Sequence, residues 1–113
     1  MTISYSQFFA ATVLTTAAAT LFTVPASPTT TLLRGARMRF TNTTAGAVTV
    51  TAYNVPSGGA AAAGNAFVSA KSIAANDYLD VDVPIMGPGG LLQALASANT
   101  SITVHPLAGS YFS

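Results

Sequence analysis

The chain has 113 residues, half of them apolar and only 6% charged, with a formal net charge of +1 at pH 7. That length makes one domain, and so small a net charge gives no overall field to gather nucleic acid or a membrane surface. There is no cysteine, which excludes disulfides and thiolate metal sites.

Residues Gln7 to Ala26 form an uncharged run long enough to raise a transmembrane or signal-peptide reading. Five threonines interrupt it, Pro25 closes it, and no Lys or Arg precedes Arg34, so neither is expected. Residues 1–19 are read as an N-terminal arm or first strand, with a helix over the Ala-rich part as the alternative. An uncharged arm of this kind suits strand addition to a neighbouring subunit. Residues 20–113 are read as a single β-sandwich domain, with a strand over Thr20–Val24.

From there the periodicity is two rather than 3.6. In "ARMRFTN", Met38 and Phe40 point one way and Arg37, Arg39 and Thr41 the other. "AVTVTAYNV" places Val48, Val50 and Ala52 on one face and Thr49, Thr51 and Tyr53 on the opposite one. The turn-forming "NTTAG", 42–46, between these two runs is expected to close a hairpin. "PSGGAAAAGN", 56–65, reads as a long loop whose flanking glycines argue against a stable helix. A strand is expected over Ala66–Ile73, then a turn at "AAND", 74–77. "DYLDVDVP" puts Leu79, Val81 and Val83 inward and Tyr78, Asp80 and Asp82 outward. After the turn "MGPGG", Leu91–Ser97 alternates with Leu92, Ala94 and Ala96 inward and Gln93, Leu95 and Ser97 outward. "SITVHP" sets Ile102 and Val104 against Ser101, Thr103 and His105, and Gly109–Phe112 is a final candidate strand.

Segments with one apolar and one polar face describe antiparallel sheet lying on a core, and the sixteen threonines suit a pleated surface. Strands spaced by about 8–12 residues with turns between them predict an all-β fold. The expectation is an antiparallel β-sandwich or jelly-roll of about seven to nine strands with an extended N-terminal arm.

The inventory argues against catalysis. With one histidine, three aspartates and no glutamate, a Ser-His-Asp set would have to use His105 with a distant Asp, and no serine lies in a G-x-S-x-G turn. No catalytic, cofactor-binding or metal site is expected: Asp80 and Asp82 share a strand face about 7 Å apart, but Asp77 has the wrong parity to join them in a calcium site. Arg34, Arg37 and Arg39 are three of the four cations. They lack the interleaved aromatic residues of a single-strand nucleic-acid surface. Arg37 with Arg39, and Asp80 with Asp82, are matching i, i+2 pairs that meet either as a cross-strand ladder within one chain or as a complementary contact between subunits. A surface this poor in charge is unusual for a free monomer: either Thr, Ser and Asn hydrate it or other subunits cover much of it, and the second is the favoured expectation. Candidate protein-interface residues are therefore Arg34, Arg37, Arg39, Asp80, Asp82, Tyr53, Tyr78 and Leu95.

The order of segments from about Leu21 to Pro106 resembles small β-sandwich virion proteins of tailed bacteriophages. It runs from a "TVP" strand through a strand closing on "FTNT" to "VTVTAYNVPSGG", then "IAANDYLDVDV" and "LQALAS" before a short last strand. The resemblance implies a structural virion protein without a cofactor, most like a capsid decoration (cement) protein on the outer capsid surface. Its partners would be the major capsid protein and copies of itself as a dimer or trimer, with no nucleic acid or membrane. The alternative it leaves open is a tail, baseplate or fibre module that binds host glycan through Tyr53, Tyr78 and the 56–65 loop.

Overall fold

The computed structural model describes residues 3–4, 10–24, 32–87 and 89–112; for 3–4, 32–35 and 108–112 the description is of the backbone. Nine strands lie within these residues: β1 (Ile3–Ser4), β2 (Thr12–Val13), β3 (Ala19–Thr23), β4 (Leu32–Asn42), β5 (Val48–Val55), β6 (Ala66–Ile73), β7 (Tyr78–Asp82), β8 (Leu91–Ala96) and β9 (Ile102–Phe112). They form two antiparallel sheets. The first runs β1-β9-β4-β7, with β2 also paired to β9, and the second runs β3-β8-β5-β6. With β1 and β2 taken as one interrupted strand on β9, these are the strand orders of a jelly roll, two Greek keys folded into a double sheet. Among the described residues no helix is long and apolar enough to cross a membrane.

The alternation read from the sequence sets the inner faces. Met38, Phe40, Ile102 and Val104 from the first sheet and Val50, Ala52, Leu92 and Ala94 from the second are fully buried in one cluster. The second sheet contributes three alanines, Ala52, Ala94 and Ala96, and small residues facing large ones let two sheets interdigitate at interior density. Strand β8 has no β-branched residue, yet its strict in–out burial shows that two-sided packing, not propensity, holds it extended.

Two expectations are corrected. "NTTAG" does not close a hairpin, because β4 pairs with β7 and β9 while β5 pairs with β6 and β8. The turn instead carries the chain from one sheet to the other. Asn42 makes this corner: fully buried, it donates from Nδ2 to the carbonyls of Gly46 (2.8 Å), Ile73 (3.0 Å) and Ala74 (3.2 Å). Its Oδ1 accepts from the Thr44 amide and hydroxyl. A buried amide with each of its groups paired rigidifies the crossing and ties it to the 74–77 turn. Ser101, expected on the outer face, is buried because it sits in the tight turn before β9, where its hydroxyl donates to the Ala98 carbonyl at 2.7 Å.

Ala10–Ala19 is not helical. β2 pairs with β9, Thr12 opposite Val104 and Val13 opposite Thr103. Leu14 is fully buried in the core, and its amide donates to the Ile102 carbonyl at 2.8 Å. The run Ala60–Ala63 ends in one 3₁₀ turn, Ala63–Asn65, closed by the Asn65 side chain on the Ala60 carbonyl and the Ala62 amide.

Candidate functional site

The outer face of the first sheet carries a charged ladder. Alternation sends Arg37 and Arg39 out of β4 and Asp80 and Asp82 out of β7, and the antiparallel register sets Arg37 opposite Asp82, Arg39 opposite Asp80 and Thr41 opposite Tyr78. Arg39 grips Asp80 with two parallel bonds, Nε to Oδ1 at 2.7 Å and Nη2 to Oδ2 at 3.0 Å. Its guanidinium carbon lies 4.2 Å from the centre of the Tyr78 ring, a stacked, charge-assisted arrangement available to Arg but not to Lys. The Arg39 hydrogen bond holds the Asp80 carboxyl below the usual carboxylate range, and the same bond raises the Arg39 pKa. Arg37 meets Asp82 at 2.9 Å, with both side chains largely in water, where an ion pair adds little. Of the two arrangements open to the sequence, the ladder within one chain is the one that forms.

This pairing limits what the face can do. Arg37 and Arg39 are each paired with an aspartate of their own chain, so neither stands as an unpaired cation on this face. Arg34 sits further along β4, opposite Ser110 of β9. His105 is exposed and stands opposite Arg39 on the other side of β4. Among the described residues no group of three or more His, Cys, Asp or Glu side chains stands close enough to hold a metal ion.

Tyr53 and Leu95 lie elsewhere. Strand parity puts them on the outer face of the second sheet, Tyr53 opposite Gln93 and Leu95 opposite Thr51, where Gln93 Nε2 donates to Thr20 Oγ1 at 2.9 Å. The eight candidate interface residues therefore divide between the two sheets. Tyr53 and Tyr78 point away from each other across the sandwich and cannot line one pocket.

A third feature was not legible in the sequence. An open cleft of about 270 Å³ lies where the start of the 56–65 loop meets the connection between β7 and β8. Asn54, Pro56, Ser57, Ile85 and Met86 are among its lining residues, and Ile85 is 67% exposed. Its only sequence signal is that two Gly- and Pro-containing turns fall at 56–59 and 86–90, which read separately are simply turns.

No family model matches the chain, and no curated protein matches it. Among solved structures it is similar to a chain in "Structure of infectious bursal disease virus Gx strain", at 14% sequence identity and a TM-score of 0.48. The match covers 97% of the present chain and 30% of that chain, so the present chain spans less than a third of its length.

Proposed function

We propose that this chain is a structural virion protein that decorates and stabilises a bacteriophage capsid by bridging capsomers. The observation that carries the reading is the order of segments from Leu21 to Pro106, which resembles small β-sandwich virion proteins of tailed bacteriophages and here folds as a jelly roll. Jelly rolls also build lectin and cupin domains, so the fold does not choose the function. The side chains favour the structural use: there is a single histidine and no glutamate or cysteine, and among the described residues no three metal-ligand side chains come together for cupin-type chemistry. The glycan alternative draws on Tyr53, Tyr78 and the 56–65 loop, and since Tyr53 and Tyr78 lie on opposite sheets no one pocket uses both.

On this reading the protein is not an enzyme and needs no cofactor. It works by many weak contacts repeated by symmetry, with the major capsid protein and with copies of itself, on the outer surface of the shell. The test is to add the purified chain to shells that lack it and follow binding and the temperature of shell disassembly. Saturable binding with a higher disassembly temperature is expected; no binding at micromolar concentration overturns the reading.

A further inference from the structure

We propose that the outer face of the β3-β8-β5-β6 sheet is the surface on which two copies of this chain pack together. The two outer faces of the sandwich differ in kind. The face of the first sheet holds the Arg37–Asp82 and Arg39–Asp80 pairs, whose charges favour contact with water. Strands β3, β5 and β8 of the second sheet contain no Asp, Glu, Lys or Arg at all. The one charge in that sheet is Lys71, exposed on edge strand β6 next to Ala70, which has a left-handed backbone (φ 46°). An irregular, charged edge of this kind blocks strand addition at β6, so the charge-free surface of this sheet is its outer face together with the opposite edge strand β3.

The chemistry of that face favours a second copy over a foreign partner. Its outward residues include Tyr53, Thr51, Thr20, Gln93, Leu91 and Leu95. Across a two-fold axis each residue meets its own mate or the mate of a neighbour. Hydroxyl and amide groups both donate and accept, so Thr, Tyr and Gln pair with themselves without mismatch, and Leu packs on Leu. A charged face in the same position would meet its own sign. The area fits a weak, concentration-dependent dimer: four strands about 4.8 Å apart and some six residues long at about 3.3 Å each outline roughly 380 Å² per copy, or about 760 Å² over both, the size of a transient rather than a permanent interface.

This inference rests on the self-association part of the proposed function, and its test separates the two. Sedimentation velocity of the full chain at tens of micromolar should show a dimer. Leu95→Arg, placing two cations across the axis, and separately Gln93→Lys, should each raise the dimer dissociation constant at least about 30-fold, the loss typical of a central contact. Arg37→Ala, on the opposite face, should leave it unchanged. Far-UV circular dichroism checks folding, and Thr20→Lys, at an exposed position of the same face, replaces Leu95→Arg if that variant does not fold. A monomeric wild type, or a dimer indifferent to these substitutions, overturns the proposal. If the wild type is monomeric and Leu95→Arg abolishes shell binding, capsid protein occupies this face: self-pairing fails while the virion reading stands. A dimer sensitive to Leu95→Arg that binds no shell gives the opposite result.

Discussion

Leu14 lies outside every long strand, in a segment whose sequence reads equally as a detached arm, yet its side chain is fully buried among residues of both sheets. Leu14→Ala removes the branched end of that side chain. The loss combines transfer of apolar surface with the cavity left behind, about 2–5 kcal/mol for a fully buried leucine. Against a total stability of about 5–15 kcal/mol for a domain, the middle of that range lowers the melting temperature by roughly 10–15 °C. The backbone bonds from the Leu14 amide to the Ile102 carbonyl (2.8 Å) and from the Ala96 amide to the Thr15 carbonyl (2.9 Å) do not depend on the side chain, so the loss reports packing. Urea unfolding followed by far-UV circular dichroism should show a lower midpoint with an unchanged slope. Val13→Ala, one residue away but 51% exposed, should change stability by about 0.5 kcal/mol or less. If Leu14→Ala is also within about 0.5 kcal/mol of wild type, the segment is not part of the core and the argument fails.

Asn42→Ala should cost about 3 kcal/mol or more, because it strips partners from the carbonyls of Gly46, Ile73 and Ala74 and from the Thr44 amide in a buried corner; a loss under about 1 kcal/mol in urea unfolding would show that water replaces the side chain freely. Gly89 has a φ of +76° and a Cβ there would sit 2.6 Å from Ser57 Oγ, so Gly89→Ala should destabilise by about 1–2 kcal/mol, whereas Gly46→Ala, with nothing within 4 Å, should be near neutral; equal effects in thermal melts would contradict this. The Asp80 carboxyl should titrate below 3.8 by carbon-detected NMR. Because its folded pKa is lowered, the stability it contributes is complete above the unfolded carboxylate range and is lost as pH falls through the folded pKa. The stability gap between wild type and Asp80→Asn should therefore close below about pH 4, and a gap that persists into strong acid would deny the pairing.

Much of the fold was legible because half-buried strands write their two faces directly into the sequence. Met38 and Phe40 against Arg37 and Arg39, or Leu92 and Ala94 against Gln93 and Leu95, assign inside and outside without knowledge of neighbours. Strand partners were less legible. "NTTAG" signals a reversal, but turn residues do not say whether the chain returns beside the strand it left or crosses to the other sheet, and here the buried Asn42 decides for crossing. The segment Ala10–Ala19 stayed open between arm, strand and helix because β2 is only two residues long, too short for alternation to show, and its one buried side chain is that of Leu14. For the charged residues, matching i, i+2 spacing revealed a pair of complementary ladders; only the register of β4 on β7 shows that they meet within the chain. Tyr53 and Tyr78 show the converse limit, since two outward tyrosines on different sheets look alike in sequence and lie on opposite sides of the molecule.

The most direct test of the virion reading is the number of copies per purified particle, measured by quantitative mass spectrometry against the major capsid protein. A shell protein repeats with the symmetry of the shell. The account predicts copies on the order of hundreds per particle, in fixed ratio to capsid protein. A few copies per particle, or none, would contradict it.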